Sequence, residues 1–192
     1  MQCNNRGFTI VELMIATMVF SAVSLLTIVA VMGMARQYQK GSYTAQLNDA
    51  SRTVHQDITS TIAYINKDEV SSIRSTPLGV SYFCVNRTMY YWSYPNATTI
   101  KPGLFKKQLG DVECNDTQAN GGVNLLPSNG FVNKLTIERS PTNINLFDIS
   151  TQFNVGSADM FKDTTYTQCL PTLSGGDFCS IVGYNSSVMS RI

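Results

Sequence analysis

The chain has 192 residues and a formal net charge of +1, which leaves room for one domain and an appendage. No bulk field directs it to nucleic acid or to an anionic membrane as its main partner. Charged residues make up only 14%, against roughly 25% in ordinary soluble domains, and Asn, Ser, Thr and Gly fill the polar positions. Such a surface suits an extracytoplasmic location better than a cytosolic one.

Residues 1–7 form a short polar leader that ends in Arg6 and Gly7. From Phe8 to Ala35 the chain is apolar apart from Glu12, and Leu13–Ala35 carries no charge. A helix over residues 8–35 rises about 42 Å, enough to cross a hydrocarbon core of about 30 Å. After Arg36 the pattern becomes amphipathic over residues 36–66, with Leu47, Ala50, Val54, Ile58, Ile62 and Ile65 tracing one helical face. No proline interrupts residues 8–66, so the pattern predicts one long helix, apolar all round and then one-sided.

Residues 67–192 read as a β-rich head. The segments VSYFCVN (80–86), TMYYWSY (88–94), LFKKQL (104–109), VNKLTIER (132–139) and INLFDISTQFNV (144–155) are rich in β-branched and aromatic residues. Residues 115–130 read as a loop, and a Gly175-Gly176 turn is followed by one more short strand. Strands in direct succession favour one small antiparallel sheet, packed by its apolar face on the second half of the helix. The expected fold class is α+β.

Five cysteines are present, Cys3 before the apolar run and Cys84, Cys114, Cys169 and Cys179 after it. An even set on one side of a membrane segment reads as two disulfides in an oxidising compartment. Zinc knuckles need closely paired cysteines, which these spacings do not provide. Three pairings are possible. Cys84–Cys114 with Cys169–Cys179 is the expected one, because each bridge closes its own segment and the second flanks the Gly-Gly turn.

Glu12 is the anomaly. A carboxylate within a membrane span is costly unless a partner neutralises it, and Arg6 and Arg36 both lie outside the uncharged stretch. Cutting the bond after Gly7 would supply the missing cation, because the new amino group of Phe8 stands four residues from Glu12. In its own subunit, or better in a neighbour displaced along the helix axis, that amine could neutralise the carboxylate and favour lateral assembly. A secretory signal peptide has an apolar core of roughly 7–15 residues, too short for this one, and a plain signal anchor leaves Glu12 unexplained.

The residues G-F-T-I-V-E-L (7–13), followed by an uninterrupted apolar run, closely resemble the N-terminal motif of type IV pilins and type II secretion pseudopilins. The resemblance covers residues 6 to about 35; beyond them it is one of architecture, apart from a faint likeness of residues 51–65 to the larger minor pilins and pseudopilins. It implies leader cleavage between Gly7 and Phe8 by prepilin peptidase, N-methylation of Phe8, and an assembly salt bridge made by Glu12. It also implies a structural subunit, minor pilin-like, that meets other pilin subunits through its N-terminal helix and an inner-membrane assembly platform. Such a subunit starts as a single-pass protein of the cytoplasmic membrane with its head outside, and ends in an extracellular pilus or a periplasmic pseudopilus. A type II secretion pseudopilin or a competence DNA-uptake subunit is the alternative, and a membrane-anchored adhesin or receptor a more distant one. Unlike many major pilins, the apolar helix contains no proline, and the presence of Glu12 argues against the tip-initiating role.

No catalytic residue, metal ligand or cofactor is expected, and no enzyme. His55 is the only histidine, which excludes a histidine-based triad or relay, and it reads as a residue on the flank of the amphipathic helix. Asp148, Asp159, Asp163 and Asp177 lack calcium-loop spacing and read as turn formers. Tyr90, Tyr91, Trp92 and Tyr94 alternate at strand period, with one face expected in the core. Lys101, Lys106 and Lys107 read as a solvated edge rather than a nucleic-acid surface. The four N-x-S/T sequons at Asn86, Asn96, Asn115 and Asn185 are what chance gives in so Asn- and Thr-rich a chain.

Overall fold

The computed structural model describes residues 9–77, 79–95, 101–171 and 178–191. Helix α1 runs without a break from Ile10 to Ala63. It stops three residues short of the expected end. There the Ile65 N–H bonds to the Ile62 carbonyl in a tightened turn, and Asn66 caps a short 3-10 turn over Lys67–Glu69 by accepting the Asp68 N–H. The buried stripe of α1 is Leu47, Ser51, Val54, His55, Ile58 and Ile62. The chain divides into two compact units, Met1–Gln39 and Lys40–Ile192.

The expected single sheet is two sheets among the described residues. Strands β1 (Arg74–Ser75), β2 (Val80–Val85), β3 (Thr88–Ser93), β4 (Gly103–Gln108) and β5 (Val123–Asn124) form an antiparallel meander in that order. Strands β6 (Gly130–Arg139), β7 (Leu146–Val155) and β8 (Ser180–Met189) form a second antiparallel sheet. The ladder breaks because the segment after β4 leaves the sheet to cover its outer face, and β5 returns to pair at only two positions. The loop expected at 115–130 thus holds a 3-10 turn at Asp116–Gln118 and β5. The closing strand is long rather than short, since β8 pairs with β7 over all ten residues.

One core joins these layers. Val54, Ile58 and Ile62 of α1 meet Phe83, Tyr90 and Trp92 of the first sheet and Leu135, Phe147, Ile149 and Phe153 of the second. Strand β8 runs in the same direction as the head part of α1, as three ties along the helix show. The Tyr184 hydroxyl donates to the Asn48 carbonyl, Ser186 pairs with His55, and the Ser190 hydroxyl donates to the Ile65 carbonyl.

Strands β2 and β3 are buried on both faces, not on one. Tyr91, Met89, Tyr82 and Cys84 form a second cluster with Leu109 and Ala119 of the covering segment. The Cys84–Cys114 disulfide holds that segment down. Gly122 closes it, donating its N–H to the Tyr91 hydroxyl at 2.9 Å. A Cβ at that glycine would stand 2.9 Å from the Lys106 carbonyl oxygen and 3.0 Å from the Tyr91 hydroxyl, so only glycine fits. An exposed aromatic patch at 90–92 is thereby excluded.

A third cluster forms where Phe131 meets Phe161 and Tyr166 in edge-to-face contacts 5.3–5.6 Å between ring centres. The Cys169–Cys179 disulfide closes this segment, with Cys179 buried in the cluster. The Gly175-Gly176 turn expected between the two cysteines lies outside the described residues. Each bridge therefore pins one loop over one satellite of the core, where burial alone is small.

Candidate functional site

The site begins at the first residue the structure describes. Thr9 is the N-cap of α1 and Glu12 its third helical residue. The Thr9 N–H and hydroxyl both donate to Glu12 Oε2 at 3.0 Å, and the Glu12 N–H donates back to Thr9 Oγ1 at 3.3 Å. This reciprocal capping box satisfies orphan donors of the first turn, and it holds the carboxylate at the positive end of the helix dipole. The Glu12 carboxylate is therefore held against the first turn of its own helix. Its Oε1 has no hydrogen-bond partner among the described residues. Gly7 and Phe8, the expected cleavage and methylation positions, lie outside the described residues, as does Cys3.

The rest of the segment is a bare apolar rod. Every residue from Thr9 to Gly41 is exposed except Ser24, which is half-buried. Ile10–Gln39 rises about 45 Å, longer than a hydrocarbon core of about 30 Å. Three of its hydroxyls, those of Thr17, Ser21 and Thr27, are turned inward along the helix. Thr17 donates to the Met14 carbonyl at 2.9 Å, Ser21 to Thr17 and Thr27 to Ser24 at 2.8 Å each. Back-bonding of this kind hides the polar atoms from a lipid or protein surround. Among the described residues, no buried side chain precedes Leu47. In water such a surface is untenable. It calls for a membrane or for like helices.

Two polar constellations tie the helix to the head; the sequence reading singled out His55, Tyr90 and Lys106 but not the partners they meet. His55 is buried, not a flank residue. Its Nδ1 lies 3.0 Å from Thr151 Oγ1, its Nε2 2.8 Å from Ser186 Oγ, and its ring packs against Tyr184. Burial pushes its pKa down from the ordinary 6.5. Asp57 receives Lys106 Nζ on both carboxylate oxygens at 2.7 Å, and the Tyr90 hydroxyl donates to its Oδ2 at 2.7 Å. Lys106 is thus engaged rather than a solvated edge, and Lys107 donates to the Gln118 carbonyl. Burial holds the Tyr90 hydroxyl protonated far above the ordinary range. Both constellations tie α1 to the strands of the head.

Asp148 accepts the Ser187 hydroxyl and Asp163 that of Thr167, while Asp159 lies in a short 3-10 turn. Asp177 lies outside the described residues. Of the features sequence reasoning missed, one was legible. The T-x-x-E pattern at residues 9–12 is itself a capping-box signature.

The prokaryotic N-terminal methylation motif matches residues 2–28. No curated protein and no solved structure matches the chain. The match covers the expected cleavage position, the capping box and the apolar rod as far as Ile28. It implies processing by prepilin peptidase and assembly with other pilin subunits. On a long helix joined to antiparallel sheets, the chain thus carries the prepilin signature of the type IV pilins and pseudopilins.

Proposed function

We propose that this chain is a non-enzymatic, minor pilin-like subunit of a type IV pilus or related filament. Residues 1–7 are the leader, 8–35 the membrane and assembly half of the helix, 36–66 its amphipathic half, and 67–192 the head. Prepilin peptidase cuts between Gly7 and Phe8 and methylates the Phe8 amine, which keeps its positive charge. The precursor is a single-pass protein of the cytoplasmic membrane with its head outside, where the cysteines of the head can oxidise. Assembly then moves the apolar rod from lipid into a bundle of like helices.

The observation that carries this reading is the lone carboxylate of Glu12 at the head of the exposed, uncharged stretch Leu13–Ala35. In a bundle, that carboxylate is stable only beside a cation, and the Phe8 amine of a neighbouring subunit is one. Peptide mass analysis of the membrane fraction tests the processing. The expected terminus is a methylated Phe8, with Cys3 lost alongside the leader. A chain that starts at Met1 or at Arg36 would overturn the proposal.

A further inference from the structure

Four N-x-S/T sequons stand in the head, at Asn86, Asn96, Asn115 and Asn185. Chance accounts for their number but not for their settings, which differ sharply. Asn86 occupies the tight β2–β3 turn at φ +52°, and its hydroxyl partner Thr88 is buried and donates to Gln108 Oε1 at 3.2 Å. Asn185 lies midway along β8, paired with Ser150 of β7, and its partner Ser187 donates to Asp148 Oδ1. An enzyme that must take hold of amide and hydroxyl together would have to open the core at the first and a ladder at the second. Asn96 lies outside the described residues.

Asn115 is different. Asn115, Asp116 and Thr117 are all exposed, within the segment that covers the outer face of β2 and β3. Both flanks of this stretch are fixed. Cys114, immediately before it, is bridged to Cys84. Just after it, Lys107 donates to the Gln118 carbonyl at 3.0 Å and to the Asn120 side chain at 3.3 Å, and Ala119 is buried against the sheet. The sequon is therefore presented without any part of the core being pulled out. Asn115 has extended backbone, with φ −144° and ψ 169°. The Thr117 hydroxyl donates to Asn115 Oδ1 at 2.6 Å, so amide and hydroxyl already face one another. That bond engages the amide oxygen. The amide nitrogen, the atom that a glycosyl transfer uses, has no hydrogen-bond partner among the described residues.

We propose that Asn115 is an N-glycosylation site, with Thr117 as the hydroxyl of its acceptor sequon. The donor class is an oligosaccharide carried on a polyprenyl diphosphate at the outer side of the membrane. Asn115 Nδ2 forms a bond to C1 of the first sugar as the C1–O bond to the diphosphate breaks. The lipid diphosphate leaves with the electron pair, and the amide gives up one proton to a carboxylate of the transferase. The position suits a subunit that packs through its helix. The inner face of the first sheet lies on α1 and this stretch lies over the outer face, so the glycan projects away from the helix. The inference rests on the extracytoplasmic head of the reading above, and not on incorporation into a filament.

Peptide mapping of the full-length chain from the membranes of its own cells tests it, with the Cys84–Cys114 bridge read in the same sample. The peptide that contains Asn115 should carry added saccharide mass, located on Asn115 by fragmentation. Asn115→Gln and Thr117→Ala should each return the chain to its unmodified mass, whereas Thr117→Ser should keep the modification at reduced occupancy. Both unmodified variants should retain the bridge, which separates lost glycosylation from lost folding. An unmodified Asn115 in the bridged wild-type chain overturns the proposal. So does saccharide found instead on Thr117 or on another asparagine, or surviving in Thr117→Ala. A wild-type chain with Cys84 and Cys114 reduced removes the extracytoplasmic reading as well, whereas a bridged chain without saccharide removes this site alone.

Discussion

At the scale of single residues, Glu12 has an observed role in the isolated chain and a second one in the proposed assembly. In the isolated chain its carboxylate closes the capping box with Thr9. In the filament proposed above, it would be the anion that pairs with the Phe8 amine of a neighbour. The two roles separate by substitution. Glu12→Gln keeps an acceptor for the Thr9 N–H but loses the charge, and Glu12→Val loses both. Cleavage should survive in both variants, because Gly7 and Phe8 are untouched. Both should accumulate as cleaved, membrane-resident chains, with incorporation into sheared filaments down about a hundredfold or more. Wild-type incorporation of Glu12→Gln would show that charge pairing is not what the glutamate supplies. His55 makes a second residue-scale prediction. Its lowered pKa means that the folded chain binds fewer protons than the unfolded chain just below pH 6.5. Stability is therefore complete above that pH and declines as the pH falls toward the depressed folded value. Melting curves from about pH 7.5 down to about pH 5 should show this slope, and His55→Gln should remove it. A slope unchanged in His55→Gln would assign the effect to other groups.

Between elements, the joint of α1 with the first sheet depends on Asp57. Its carboxylate satisfies a half-buried ammonium and a buried phenol together. Asp57→Ala strands both partners and should cost about 2–3 kcal/mol in denaturant unfolding. Lys106→Met removes the cation yet leaves the Tyr90 hydroxyl its acceptor, so it should cost clearly less. Equal costs would mean that the ion pair, and not the shared carboxylate, holds the joint. The elements themselves were largely legible. A proline-free run with apolar residues at helical spacing marked α1, and β-branched and aromatic runs marked β2, β3, β4, β6 and β7 to within a few residues, while β8 was read only as a short closing strand. What was not legible is non-local. His55 meets partners 96 and 131 residues away, and Lys106 meets Asp57 across 49. The loop that folds over the outer face of β2 and β3 is polar enough to read as solvent-exposed. Its covering role depends on a bridge and on Gly122, neither of which has a periodic signature. The second sheet was hidden for the same reason, since strand runs announce themselves but not the point where a ladder breaks.

For the whole molecule, the division of labour along the chain is nearly complete. Before Leu47 no described side chain is buried; after it lie the core, its two satellites and both bridges. The rod gives the head no burial, so the head should not need it. A chain spanning Lys40–Ile192 should therefore be soluble, since the apolar surface of residues 10–35 is gone. It should oxidise as Cys84–Cys114 and Cys169–Cys179 and unfold in one cooperative transition. The new helix start lacks the Thr9 cap, so its first turn frays, at about 1 kcal/mol or less. That loss is local, because Leu47, the first core residue, stands two turns further in. The denaturant midpoint of the truncated chain should lie close to that of the full chain in detergent, with the same slope. A truncated chain that aggregates, or that loses several kcal/mol, would show that residues 10–39 stabilise the head by a route their exposure does not reveal.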